Sequence, residues 1–222
     1  SKYGDVTLDK SAKQDFGDIK TLHAIINDPS DKNFVGTEFE LNGVTEDDIK
    51  KAKKLFLIFS GEEVIETTKN GQIVKKDGKV ASIYINGVKV AEEENFLFSY
   101  NITIQNAAIK KALNRERTNV GRSAYTDSVK KILLSSSSTE VSKLLAGDLQ
   151  NINNGYAHDE LDWIDVQEHA VKILNNNGKF LFVTTMEIMH HADMIDEAKS
   201  SGYSIINIPE SLKYRIEGIK DI

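Results

Sequence analysis

The chain has 222 residues, of which 40% are apolar and 28% charged, and its 28 Lys and Arg against 34 Asp and Glu leave a formal charge of −6. Those proportions suit a globular fold that buries a core, exclude long disorder, and count against a role in coating nucleic acid. There is no Cys, which excludes disulfide scaffolds, thiolate zinc sites and cysteine nucleophiles and is compatible with a cytoplasmic protein.

The N-terminal residues Ser1-Lys2-Tyr3-Gly4-Asp5 contain no apolar core of the kind a signal peptide carries. The initiator Met is missing, so either it has been removed or the chain is cut from a longer one. After a turn signal at Asp28-Pro29-Ser30-Asp31, Phe39 and Leu41 alternate with acids in Gly36-Thr37-Glu38-Phe39-Glu40-Leu41, as in a half-buried strand. Thr45, with Asp48 three residues on, predicts a capped helix start. The longest apolar run, Leu55 to Phe59, is strand-sized and far below the roughly 20 residues that span a bilayer.

From Gly61 to Ile104 the signals are β. The turn dipeptides Asn70-Gly71, Asp77-Gly78 and Asn86-Gly87 separate runs at Val64 to Thr68, Ile73 to Lys75, Val80 to Ile85 and Val88 to Val90. Phe96, Phe98, Tyr100 and Ile102 alternate along a further strand, and the whole reads as an antiparallel meander with one apolar face directed at helices. Helical spacing then carries Ala107, Ile109 and Leu113, and after a polar stretch Ala124, Tyr125, Val129, Ile132 and Leu133. Ser135 to Ser138 form a loop that offers a cap to a helix over Val141 to Leu145. Asp159 to Asn175 reads as one helix with Trp163, Val166, Ala170, Ile173 and Leu174 on its core face, closed by Asn177-Gly178. Beyond it, Phe180 to Val183, a helix around Glu187 to Ser200 stopped by Gly202, and Tyr203 to Ile208 make a β-α-β unit with parallel strands.

The fold class is therefore α/β (α+β): a β-meander or mixed sheet on helices, a helical segment, and a small C-terminal βαβ unit. The expected division is 1–60 as the end of an upstream nucleotide-type domain or a connecting segment, 61–135 as the main α/β domain, and 136–222 as a helical linker with the C-terminal unit.

The phosphate-binding loops G-x-x-x-x-G-K-[ST] and G-x-G-x-x-G are absent, as are the G-x-S-x-G and H-E-x-x-H motifs. His190, His191 and Asp193 could form a weak metal site, but adjacent histidines on a helix diverge by about 100°, and a polar helix start is the plainer reading. Glu92-Glu93-Glu94 reads as a solvated loop. The polar stretch Asn114-Arg115-Glu116-Arg117-Thr118-Asn119-Val120-Gly121-Arg122 stands out, because a guanidinium presents a planar fork of donors matching phosphate oxygens. Arg115, Arg117 and Arg122 could equally form structural ion pairs with Glu116 or another acid.

Several pieces, in the same order, resemble the ninety-kilodalton heat-shock chaperones and their relatives among the GHKL ATPases. Gly36 to Leu41 is similar to a late strand of the GHKL nucleotide domain. Ile83-Tyr84-Ile85-Asn86-Gly87-Val88 is similar to a strand and turn in the middle domains of these chaperones and of MutL. Leu113-Asn114-Arg115-Glu116 resembles the chaperones' Leu-Asn-x-x-Arg-Glu segment shortened by two residues, and Phe180 to Pro209 resembles the small α/β unit that closes the middle domain. The family's Glu-x-x-x-Asn helix and Asp-x-Gly-x-Gly motif do not occur in this chain.

The resemblance implies a middle-domain fragment of a divergent branch. ATP and Mg²⁺ would be bound only by an upstream domain, with Arg115, or its rival Arg117, reaching the ATP phosphate. It further implies a cytoplasmic hydrolase inactive as this isolated piece, a protein client, and a homodimer of the intact protein. The alternative is a non-catalytic protein-interaction module, with the Arg loop structural. Nucleic-acid binding, suggested by the MutL likeness, is opposed by the acidic total.

Overall fold

The computed structural model describes residues 5–9, 23–27, 33, 41–115 and 120–218, which divide into two compact units, 1–50 and 51–222. In the first unit β1 (Asp5–Asp9) and β2 (His23–Asn27) pair antiparallel, with Thr7 opposite Ile25. The strand expected at 36–41 lies outside the described residues except for Leu41, which is exposed. Helix α1 (Glu46–Lys53) starts as predicted: the Asp48 amide donates to Thr45 Oγ1 at 3.2 Å, and the Thr45 amide donates back to the Asp48 carboxylate at 3.1 Å.

In the second unit the apolar run at 55–59 does not form a strand of the sheet. Phe56 makes a single bridge to Val88, and α2 (Leu57–Ser60) then completes one helical turn, ended by Gly61 at φ 82°. Leu57 N–H donates to the Gly87 carbonyl at 2.8 Å and Lys89 N–H to the Leu55 carbonyl at 2.8 Å. The run therefore covers one edge of the sheet through the backbone of Leu55 and Leu57.

The sheet comprises β3 (Val64–Thr68), β4 (Gly71–Lys75), β5 (Ala81–Ile85), β6 (Val88–Glu93) and β7 (Phe98–Ile102), in the order β3-β4-β7-β5-β6. Two of the three turn dipeptides close hairpins. Gly71 opens β4 after the β3 turn, and Asn86 at φ 48° with Gly87 at φ 80° joins β5 to β6, as a type I′ turn requires. Asp77-Gly78 does not close one. β7 inserts between β4 and β5, antiparallel to the first and parallel to the second, so the sheet is mixed and not a meander. Strand β7 has no free edge, and its residues are buried on both faces. A parallel pair needs a long crossover, here supplied by the β5–β6 hairpin and the 94–97 segment.

One face of the sheet presents Ile73, Ile83, Phe98, Tyr100 and Ile102, all at most 2% exposed. Against it lie α3 (Ala107–Arg115), α4 (Arg122–Leu133), α5 (Thr139–Leu149) and α6 (Ile164–Asn177), with α4 packed directly on β4 and β7. Gly71 is required where α4 crosses: a Cβ there would stand 2.4 Å from the Asn101 carbonyl oxygen and 2.7 Å from Ile132 Cδ1. Ser138 caps α5 by accepting from the Val141 amide at 3.3 Å. The segment read as one helix from Asp159 is broken. Asp159–Asp162 is a 3₁₀ turn, and Trp163, extended at φ −92° and ψ 104°, precedes α6 and packs edge-on to Phe96.

The C-terminal unit has β8 (Phe180–Val183) parallel to β9 (Ser204–Asn207), as expected, but its helix is divided at His191 into α7 (Thr185–His190) and α8 (Ala192–Ser200). A capping box between Thr184 and Glu187 starts α7, and α9 (Glu210–Ile216) follows Pro209. One hydrophobic cluster runs from Ile73 through Leu133, Val141 and Leu174 to Ile216, so residues on both sides of the serine loop share a core. Among the described residues no helix is long and apolar enough to cross a membrane.

Candidate functional site

Helix α3 is tied to α4 by Asn106, whose side-chain oxygen accepts from the Ile109 amide at 2.7 Å while its nitrogen donates to the Ala124 carbonyl at 3.3 Å and to Ser128 Oγ at 3.2 Å. Ile109 is fully buried and Leu113 packs at the core margin, which sets the direction in which α3 ends. Arg115 is its last residue. Its side chain, and all of Arg117, lie outside the described residues.

Arg122 heads α4 and is a cross-link. Its guanidinium donates to Asp159 at 2.6 Å and Glu93 at 3.3 Å, and lies 4.8 Å from the centre of the Phe96 ring. Partial burial would lower its pKa, but the Asp159 and Glu93 carboxylates raise it. Tyr125 donates to Glu93 as well, and burial together with that carboxylate pushes the phenol well up. The acidic run at 92–94 is therefore not uniformly solvated: Glu93 is buried, whereas Glu92 pairs with Lys89 and Glu94 is exposed.

Glu160 is a second buried acid that the sequence did not mark. It is 0% exposed and accepts from the Leu97 amide at 2.9 Å, the Phe98 amide at 3.2 Å and the Tyr100 hydroxyl at 2.8 Å. Two of these donors are backbone amides at the start of β7, so the carboxylate pins the loop before that strand. Burial raises its pKa and outweighs those hydrogen bonds. Asp148 is the opposite case: burial alone would raise it, but donation from the His158 amide at 2.8 Å, from the Asn151 side chain and from the His158 ring holds it low. His190 ends α7 and His191 precedes α8, and among the described residues no three His, Cys, Asp or Glu side chains are grouped to hold a metal ion.

The second face of the sheet carries polar side chains: Gln72, Ser82, Tyr84, Ser99 and Asn101, around a buried Val74. These groups are largely satisfied within the sheet. Asn101 accepts from the Gly87 amide at 2.9 Å and donates to Gln72 at 2.7 Å, and Ser99 Oγ accepts from the Ser82 amide at 2.9 Å. Helix α2 and the 61–64 segment stand beside this face and leave an open cleft of about 700 Å³, lined by Leu57, Ile58, Glu62, Gln72, Asn101 and Thr103 among others. Tyr84 donates to Glu62 Oε1 at 3.1 Å, and its pKa is raised, chiefly by burial. Glu62 Oε2 is buried and accepts no hydrogen bond among the described residues. A carboxylate and a phenol suffice for recognition; no nucleophile, base and orienting group converge here. Sequence reading missed the cleft because Glu62, Gln72, Tyr84 and Asn101 come from four segments with no shared spacing.

Residues 47–139 match the family described as the Mycoplasma pneumoniae MPN635 N-terminal domain. That stretch contains the whole five-stranded sheet, α2, α3 with Arg115, and α4. The chain is also similar to two uncharacterised proteins of Mycoplasma pneumoniae. One is 35% identical over 118 residues, covering 53% of this chain and 47% of the relative, and the other is 31% identical over 149 residues, covering 66% and 42%. The chain thus spans less than half the length of these relatives. No solved structure matches it.

Proposed function

We propose that this chain is the coupling, middle-domain part of a cytoplasmic GHKL-type ATPase, and that ATP and Mg²⁺ are held by an upstream domain. The observation that supports this reading is the end of α3 at Arg115. A helix anchored by Ile109 and by Asn106 carries Arg115 as its last residue. Arg122 is already committed to Glu93 and Asp159, which leaves Arg115 and Arg117 as the candidates for the phosphate. A guanidinium that meets the transferred phosphoryl group only when domains close contributes about 10³–10⁵ in rate.

The test is ATP hydrolysis by the full-length protein carrying Arg115→Ala or Arg117→Ala. The responsible arginine lowers kcat by at least about two orders of magnitude with little change in ATP affinity, because its contact forms mainly in the transition state. Unchanged hydrolysis in both variants, with a lower Tm, makes the segment structural and defeats the proposal.

A second reading, a non-catalytic protein-interaction module, is favoured by one separate observation. Leu55, Phe56, Ile58 and Phe59 are all more than 40% exposed within five residues, Ile58 reaching 83%. On this reading Ile58→Asp abolishes partner capture while both arginine variants behave as wild type.

A further inference from the structure

Glu62 differs from the other acids beside the sheet. Glu63 pairs with Lys75 at 3.6 Å, Glu92 with Lys89 at 2.7 Å, and Glu93 with Arg122 at 3.3 Å. Glu62 lines the α2 cleft with one phenol donor on Oε1, nothing on Oε2, and no cation bridged to it among the described residues. An ionised carboxylate is an acceptor only, and a desolvated oxygen without a donor is destabilising.

The cleft offers few donors in return. The Gln72 side-chain nitrogen already donates to Thr67 Oγ1 at 3.2 Å, the Asn101 side-chain nitrogen to Gln72 at 2.7 Å, and the Gly87 amide to Asn101 at 2.9 Å. Asn86 and Thr103 complete the polar lining, and among the described lining residues Glu62 is the one acid, with no Lys or Arg beside it, so the charge of the cleft favours a cation over an anion. Alongside it stand Leu57, Ile58 and Val64, a wall suited to a methylene stem. The cleft is open, and the exposed Phe59 and Ile58 flank it, which suits a passing chain better than an enclosed small molecule.

We propose that this cleft receives a lysine or arginine side chain from an apolar segment of a partner protein, its stem against Leu57, Ile58 and Val64 and its cationic head on Glu62. The head meets the carboxylate from the cleft side, where Glu62 is part of the lining, and Tyr84 keeps its hydrogen bond to Oε1. The site is independent of the ATPase reading, because it selects against phosphate and uses none of the arginine segment.

The experiment titrates the protein with the blocked peptide acetyl-Leu-Lys-Leu amide, its norleucine counterpart, and n-butylammonium chloride, followed by amide chemical shifts. The lysine peptide is expected to shift Gly61, Glu62, Gly87 and Asn101. Glu62→Gln is expected to weaken it roughly tenfold, the loss of one charge-assisted hydrogen bond. Raising the ionic strength of the wild type weakens the lysine peptide and leaves the norleucine peptide unaffected, a readout that holds if Glu62→Gln fails to fold. Equal binding of the two peptides, or no salt dependence, overturns the proposal. Butylammonium binding as tightly as the peptide assigns the site to free amines and overturns the peptide source.

Discussion

The two faces of the five-stranded sheet are both buried, and they are buried by different means. Tyr100 and Asn101 are neighbours in β7 and point to opposite sides. Tyr100 enters an aromatic and aliphatic cluster with Phe96, Phe98 and Ile132, where burial itself supplies the stabilisation. Asn101 enters a pavement of amides and hydroxyls whose desolvation is offset by hydrogen bonds to Gln72 and Gly87. An apolar face is satisfied by any good packing, whereas a polar face must match every donor to an acceptor. Glu62 Oε2, the one buried side-chain N or O atom without a partner among the described residues, is consequently informative, where a small packing gap on the other face would not be.

The largest test of this contrast is Tyr100→Ala. It removes a fully buried ring and one donor of Glu160, and should cost about 3–5 kcal/mol in urea unfolding. Gly71→Ala should follow at about 1–3 kcal/mol, because the new Cβ meets the Asn101 carbonyl and Ile132 and forces β4 away from α4 or β7. Asn101→Ala should cost about 1–2 kcal/mol, since water can reach the cleft and replace part of what is lost. If Asn101→Ala costs as much as Tyr100→Ala, the polar face is a second core and the contrast fails.

The smallest effect is a pH slope. Glu160 is the buried carboxyl serving the apolar side, and burial raises its folded pKa above the ordinary 4.5. The folded protein then binds that proton more tightly than the unfolded chain. Its contribution to stability is fully present below pH 4.5 and is lost as pH rises through the folded value. Tm measured upward from that pH should carry a falling component that Glu160→Gln lacks. Identical slopes in the two proteins would show that Glu160 titrates normally. Asp148, held low, acts with the opposite sign: it stabilises above its ordinary range, and that contribution is lost as pH falls through its folded value.

Local signals in the chain determined its elements. Thr45 with Asp48, Ser138, Asn86-Gly87 and the alternation of Phe98, Tyr100 and Ile102 act over two to four residues, and the structure places each where its local chemistry requires. Partner choice was decided by tertiary structure. Asp77-Gly78 has turn chemistry equal to that of the hairpins, yet β7 enters between β4 and β5, because a strand apolar on one face and able to bond on both edges is most stable at the centre. The apolar run at 55–59 became an edge cover and a one-turn helix because its amides and carbonyls meet β6 there. Charges followed the same division. The arginine types were visible in the sequence, but that Arg122 is spent on Glu93 and Asp159, that Glu160 is buried, and that Glu62 Oε2 lacks a donor among the described residues depend on residues 29 to 63 positions apart or on segments joined only by the sheet, where no spacing rule reaches.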